Sequence, residues 1–390
     1  NPGVRLAWQL GARQWDVVHV VYPSVIGFFI LAVCNWRRIP VYCSHHVDLV
    51  FYARRYASKP VASVATFLYD ITARIPATYG AAINAAPTLM FLRSHLTRVP
   101  PARSRRIPTG VALDRFAPDS PGQRSRERAE LLARIGAEEG VTVWLMVQRL
   151  APEKDTSHAF AALREAAEGA HNGGAHNGAG RNGSGKNGAG KAPVHLVIAG
   201  DGPSMAALQA EAKARALPVS FLGNVDHSAL PPLYRAADVF VTCSTSETYG
   251  LTVVEALASG TPVAMPHCEV FDELWAKVLP EAWMYDPKQP GAVRKAVEAA
   301  GSPAGRAWLE ANPVKLSWQD ATDELLAQYE ECIENNLPFR REQASRRVTV
   351  HHSVMALAAA TALWWLMQIY ARALIRVFAR LMCVQVEILD

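Results

Sequence analysis

Residues 237–262 constrain the fold most, because an apolar strand runs through a short polar loop into an apolar helix that ends in a turn. The loop carries Glu247, the helix carries Glu255, and Gly250 lies between them. In open parallel sheets ligands bind at the carboxyl ends of the strands, and the exposed N–H groups at a helix start suit a phosphate. Ionised carboxylates accept strong hydrogen bonds, which suits sugar hydroxyls. This combination indicates a site for a nucleotide-linked sugar.

The segments before this stretch repeat the strand-to-loop organisation. A strand at 143–148 leads into a loop with Arg149 and Lys154, and similar strands end in the turns of 194–203 and 221–225. Strands that alternate with helices in this way predict a parallel sheet with right-handed crossovers. Fixed cations in such a loop would stabilise the negative charge that builds up on a diphosphate leaving group.

The first part of the chain contains a second set of strands, predicted at 15–24, 39–46 and 81–87. The strand at 39–46 ends in His45 and His46. Two groups of strands separated along the chain predict two α/β domains, which agrees with a length of 390 residues.

Taken in order, these segments resemble the retaining glycosyltransferases of the GT-B fold, in particular glycosyltransferase family 4. The resemblance covers about residues 15–330 outside an insertion, and the segment 107–116 resembles the family's crossing between domains. It implies two Rossmann-like α/β domains that face each other across a cleft holding the active site. It also implies front-face attack on the sugar, with the leaving phosphate as base.

The same resemblance implies roles for individual residues. Arg149 and Lys154 would hold the donor diphosphate, Glu247 the transferred sugar, and Glu255 the ribose. His46 would lie under the donor sugar as a second catalytic residue, with His45 as the alternative. The remaining donor-binding positions are Gly202, Asn224, Val225, Thr248, Tyr249, Gly250 and Leu251.

Two positions depart from the family pattern. Gln148 stands where the family has a Gly before the Arg, and a side chain there could crowd a close backbone approach. The loop 265–273 lacks the paired glycines that most relatives have.

Some details resemble the sulfoquinovosyltransferases of plant and algal sulfolipid synthesis, namely residues 44–46, residues 52–56 and Thr248. This narrower resemblance implies transfer of sulfoquinovose from UDP-sulfoquinovose to diacylglycerol, at a chloroplast envelope membrane. The alternatives are a family 4 mannosyl- or glucosyltransferase with another donor or acceptor, and an inactive fragment that acts as a binding protein.

Composition limits the other classes of function. A net charge of +5 and a pI near 8.9 are only mildly basic, which does not favour a nucleic-acid partner and suits a partly anionic membrane surface. The 6 cysteines form no metal-like pair, and we expect neither a metal nor a resident cofactor. Residue 1 begins in what resembles the middle of a domain, with no targeting peptide, so we expect a truncated start.

The final segment differs in character from the rest. An uncharged run at 354–370 contains Trp364 and Trp365 and precedes arginines that recur every four residues. Arginines and aromatic residues beside an apolar stretch are typical of a membrane interface, so we expect a membrane-associated helix. The predicted organisation is an acceptor-side domain at 1–118, a donor-binding domain at 119–318 with a disordered insertion at 169–191, a crossover helix region at 319–345 and the membrane helix at 350–390.

Overall fold

The protein forms two compact α/β units, each built on a parallel sheet. The first unit takes in the described residues up to Pro108 and those from Ala321 onwards, and the second is Thr109–Asp320. This computed structural model describes residues 12–22, 25–63, 66, 82–95, 99–118, 121–172, 193–314 and 316–345.

The first unit contains a four-stranded sheet in which neighbouring strands follow chain order and run parallel. Tyr42, Cys43 and Ser44 are fully buried in its second strand, as expected for a strand covered on both faces. Its elements are β1 (Val18–Tyr22), α1 (Val25–Arg37), β2 (Val41–His45), α2 (Leu49–Tyr56), β3 (Ile83–Ala86), α3 (Leu89–His95) and β4 (Ser104–Arg106).

The second unit contains a six-stranded parallel sheet. Its strands are β5 (Thr142–Val147), β6 (Val194–Ala199), β7 (Val219–Gly223), β8 (Val239–Val241), β9 (Val263–Pro266) and β10 (Met284–Tyr285). Its helices are α4 (Pro121–Ile135), α5 (Thr156–Asn172), α6 (Met205–Ala214), α7 (Leu230–Ala236), α8 (Leu251–Ala258), α9 (Glu269–Trp275), α10 (Ala292–Ala300) and α11 (Pro303–Ala311).

The strand order of this second sheet is β10-β9-β8-β5-β6-β7. The chain therefore adds β6 and β7 on one side of β5 and β8 to β10 on the other, which makes the β5–β8 pair the topological switch point. Val143 and Trp144 of β5 and Phe240 of β8 are almost completely buried, so the switch point lies on a rigid core. The α/β fold with two parallel-sheet domains is confirmed.

A long helix closes the described part of the chain. Helix α12 (Trp318–Ser345) contains Pro338 and packs against the first sheet, where Cys332 shares a buried cluster with Tyr42 and Ile83. Tyr42 also donates a 2.7 Å hydrogen bond from its hydroxyl to Gln328 of this helix.

Helix α5 continues to Asn172 and so passes Gly169, the predicted start of the insertion. The segment before the glycine-rich stretch is rich in Ala, which favours the helix, and the sequence pattern placed its end too early. Residues 173–192 lie outside the described residues, as does the predicted membrane helix at 350–390. Within the ranges given above, no helix combines the length and apolar character needed to cross a membrane.

Candidate active site

The predicted phosphate cation and the predicted sugar carboxylate meet at the switch point of the second sheet. Lys154 ends a short 3₁₀ turn after β5, and Glu247 lies in the loop after β8. Lys154 Nζ lies 2.5 Å from Glu247 Oε1, and each side chain is 18% exposed. Open α/β sheets bind ligands at this edge, where the direction of the strand order reverses.

Gly250 forms the junction between the Glu247 loop and helix α8. It is the N-cap of the helix with φ 83° and ψ 53°, a left-handed conformation that favours glycine. A Cβ atom added at this position would lie 2.5 Å from Cε1 of Phe271. Glycine therefore allows both the turn and the close packing that set the direction of α8.

Glu255 lies on α8 with an exposed fraction of 8%. Its Oε2 accepts a 2.8 Å hydrogen bond from the hydroxyl of buried Tyr234, and its Oε1 lies 2.9 Å from Nε2 of His227. Burial, together with the neighbouring Glu255 carboxylate, holds the pKa of Tyr234 well above its usual value, so the phenol remains a donor. These contacts fix the carboxylate in one orientation.

The loop after β5 packs tightly against the turn after β6. Gly200 has φ 138°, and a Cβ there would lie 1.9 Å from the carbonyl oxygen of Gln148. At Gly202 a Cβ would lie 2.3 Å from the carbonyl oxygen of Leu150, so this residue has a packing requirement of its own. Arg149 is exposed between these contacts.

The Gln148 side chain donates a 3.0 Å hydrogen bond from Nε2 to Oγ1 of Thr156, at the start of α5. This bond directs the side-chain amide towards α5, and the carbonyl oxygen of Gln148 still packs closely against Gly200. This departure from the family pattern is accommodated locally.

The remaining predicted donor-binding residues lie in two loops of the same domain. Asn224 and Thr248 are exposed, and Leu251 is 50% exposed at the start of α8. Val225 and Tyr249 are partly buried against the core of this domain. Across the described ranges, no group of three His, Cys, Asp or Glu side chains is placed to hold a metal ion.

His46 belongs to the first domain and follows the last residue of β2. It is exposed, whereas His45 is fully buried within the strand. His46 Nε2 lies 2.9 Å from Oγ of Ser44, and that same oxygen lies 2.7 Å from Nε2 of His19. Partial burial lowers the pKa of His46, and burial together with the nearby His46 lowers that of His19, so both rings favour the neutral form.

Sequence reasoning missed several members of these arrangements. His227 and Tyr234 contact Glu255 from an earlier loop and helix, and Ser44 contacts both His46 and His19. Ser44 and His227 lie close to the carboxyl ends of strands, but this position does not show which side chains meet. Tyr234 lies inside α7 and His19 near the start of β1, where the sequence gives no such signal.

Residues 127–300 match the family model of the glycosyl transferases group 1. The match lies within the second domain and covers less than half of the chain. The match covers the sheet strands, the Lys154–Glu247 pair and Glu255, and it confirms the resemblance to GT-B glycosyltransferases. The narrower assignment to family 4 is consistent with it and stays a prediction.

Curated relatives of this chain act on several substrates according to their names. The chain is 26% identical over 252 residues to an alpha-monoglucosyldiacylglycerol synthase of Streptococcus pneumoniae, covering 64% of this chain and 51% of that protein. It is 29% identical over 342 residues to a GDP-mannose-dependent alpha-mannosyltransferase of Mycobacterium tuberculosis, and the match covers 84% of this chain and 76% of that protein. It is 26% identical over 266 residues to a sulfoquinovosyl transferase of Arabidopsis thaliana, and the match covers 66% of this chain and 44% of that protein. The match thus spans about half of the pneumococcal protein and less than half of the plant one.

The fold is also similar to that of solved glycosyltransferase structures. Sucrose-phosphate synthase from Thermosynechococcus elongatus superposes with a TM-score of 0.59 at 18% identity, covering 84% of this chain and 76% of that one. At this identity the likeness supports the fold.

Proposed function

We propose that this glycosyltransferase moves a sugar from a nucleoside diphosphate donor to a lipid acceptor with retention of configuration. The observation that carries the proposal is the Lys154–Glu247 pair at the β5–β8 switch point. A cation for a leaving diphosphate and a carboxylate for sugar hydroxyls lie there in direct contact, beside the α8 N-terminus. A nucleotide sugar presents both chemical groups in adjacent positions.

In the proposed reaction the anomeric C–O bond to the diphosphate breaks, and the acceptor oxygen bonds to the same face of the sugar. The acceptor proton passes to the leaving phosphate oxygen. Arg149 and Lys154 stabilise the charge that develops on the diphosphate, and Glu247 holds sugar hydroxyls. Glu255 holds the ribose, and His46 contacts the sugar. In this proposal the cations serve the diphosphate without a resident cofactor.

For the substrates, we propose UDP-sulfoquinovose as donor and diacylglycerol as acceptor, with action at a membrane such as the chloroplast envelope. Support comes from the sulfoquinovosyl transferase of Arabidopsis and from the diacylglycerol-linked name of the Streptococcus relative. Residues 44–46 and Thr248 support the same choice on sequence.

A second candidate is transfer of mannose from GDP-mannose. It is favoured by the relative of that name, whose match extends over 84% of this chain.

A donor panel tests both candidates. Purified chain is mixed with diacylglycerol vesicles and, separately, UDP-sulfoquinovose, UDP-glucose or GDP-mannose, with Glu247→Gln as the matched inactive variant. We expect a sulfoquinovosyl lipid product that is absent with the variant. Product from GDP-mannose alone would replace the first candidate by the second, and absence of any product would contradict the proposed activity.

A further inference from the structure

The first domain contains a continuous row of hydrogen-bonding side chains that leads to His46. The hydroxyl of Tyr329, on α12, lies 2.7 Å from Nδ1 of His19, on β1. His19 Nε2 then lies 2.7 Å from Oγ of Ser44, and Ser44 Oγ lies 2.9 Å from Nε2 of His46. Three separate elements of the fold thus contribute to one row.

Ser44 determines how protons can be arranged along this row. Its hydroxyl has one proton and two acceptor lone pairs, and among the described residues its buried oxygen contacts these two histidines. Acceptance from both histidines would leave the buried Ser44 proton without an acceptor, so Ser44 donates to one histidine and accepts from the other. Only two arrangements use every contact and also give the Ser44 proton an acceptor, one with all donors directed towards His46 and one with all donors directed towards Tyr329. Which nitrogen of each neutral imidazole carries the proton is fixed by the bond that the other nitrogen makes.

The surroundings of Tyr329 select between these arrangements. A phenol is a stronger donor than acceptor, which favours donation from Tyr329 to His19; burial raises the pKa of Tyr329, so the hydroxyl is protonated in either arrangement. The ring also packs edge-on against His19 and Tyr42, with centroids 5.7 and 5.2 Å apart, which holds the hydroxyl at His19 Nδ1. Donation from Tyr329 makes His19 donate from Nε2 to Ser44 and makes Ser44 donate to His46.

We propose that Tyr329, His19 and Ser44 are positioning residues that hold His46 as the neutral tautomer with its proton on Nδ1, ready to donate to an oxygen of the bound sugar. The assignment rests on the proposed function, because the sugar is its substrate. Ser44 is fully buried whereas His46 is exposed, so Ser44 is a fixed support for a ring that a ligand can reach.

The tautomer can be measured without any donor. Protein labelled with ¹⁵N at the histidine nitrogens is compared as wild type, Ser44→Ala and Tyr329→Phe, with His46→Gln to assign the resonances. We expect a protonated Nδ1 in the wild type and a shift towards the Nε2-protonated form in both variants. A wild-type His46 protonated at Nε2, or tautomers unchanged in both variants, would overturn the proposal.

Kinetics of sugar transfer are the second test of the proposal. Ser44→Ala should lower kcat by at least about tenfold while changing the donor KM less than about twofold, and Ser44→Thr, which keeps the hydroxyl, should restore most of the rate. Ser220→Ala is the matched control, since Ser220 lies 2.9 Å from Nε2 of His195 in a similar pair across β6 and β7, and it should leave kcat unchanged. An unchanged kcat in Ser44→Ala overturns the positioning role. A wild type without transferase activity overturns the proposed function alone, because the spectra test the row of donors independently.

Discussion

At the scale of single residues, the contact between Lys154 and Glu247 has consequences for catalysis. Each group partly neutralises the other at 2.5 Å, and in the proposed complex the donor would place its phosphate and hydroxyls against the same two side chains. Lys154→Ala should therefore lower kcat by about a hundredfold, on the order of 3 kcal/mol of transition-state stabilisation. Lys213→Ala, which removes an exposed lysine of α6, is the control in steady-state assays. Near-normal turnover of Lys154→Ala would show that Lys154 does not bind the diphosphate.

Glu255 should affect nucleotide binding more than the rate of the bound complex. Its carboxylate is held by Tyr234 and His227, and ribose contacts persist throughout the reaction. Glu255→Gln should weaken the affinity for free nucleotide about tenfold, whereas Glu247→Gln should mainly lower the single-turnover rate. Calorimetry with free UDP and GDP, run beside single-turnover kinetics, separates the two effects. The opposite pattern would exchange the two roles.

The histidines of the first domain should make its stability depend on pH. Burial lowers the pKa of His19 and of His46 below the ordinary value of 6.5. The unfolded chain then binds more protons than the folded one as the pH falls through this value, so the stabilisation is present above pH 6.5 and is lost below it. Urea unfolding on both sides of this pH measures the loss. His19→Gln should reduce the difference, and an equal difference in the variant would show that His19 does not contribute.

At the scale of elements, the start of α8 depends on Gly250. Gly250→Ala should destabilise the fold beyond the roughly 1 kcal/mol expected for a side chain in the left-handed region, because its Cβ would overlap Phe271. Gly136→Ala is the matched control, since Gly136 has φ 65° and no described atom lies within 4 Å of an added Cβ. Chemical unfolding should show a larger loss of stability, and transfer assays a lower rate, for Gly250→Ala than for Gly136→Ala. Equal losses would mean that packing against Phe271 does not set the position of α8.

The sequence predicted the elements of the second domain better than the contacts within its site. Continuous apolar runs such as 143–147 identify strands buried on both faces, and glycines after them identify the loops. Lys154 and Glu247 could be placed at one edge because each follows a parallel strand. Their direct contact depends on β5 and β8 being neighbours, which periodicity along the chain does not show.

The row of hydrogen-bonding side chains that leads to His46 was harder to predict from the sequence than the Lys154–Glu247 contact. Tyr329 and His19 are 310 positions apart, and their meeting depends on α12 returning to the first domain. No local pattern marks such a pair, because neither residue is unusual for its own element.

At the scale of the whole molecule, the relatives share a domain but differ in the donors and acceptors that their names give. In the proposed function the Lys154–Glu247 pair, Glu255 and the α8 N-terminus bind groups that all nucleotide sugars have in common. We therefore expect the choice of sugar to depend on exposed side chains such as Thr248, Glu269 and Asp272. The last two lie on α9, within the segment 265–273 that departs from the family pattern. A donor panel therefore tests specificity separately from the diphosphate site.

The proposed lipid acceptor leads us to expect that the whole chain binds to membranes, and this can be tested with lipid vesicles. Residues 354–370 carry no charge and precede Arg372, Arg376 and Arg380, so the sequence predicts a helix that prefers an anionic lipid interface. Deletion of 350–390 should abolish sedimentation with vesicles that contain anionic lipid and leave the affinity for free nucleotide unchanged, because the donor residues all precede it. Replacing the three arginines by Gln should weaken binding to anionic vesicles more than to neutral ones, which separates the charge from the apolar run. A deleted chain that still sediments with vesicles after a high-salt wash would place the lipid contact elsewhere in the protein.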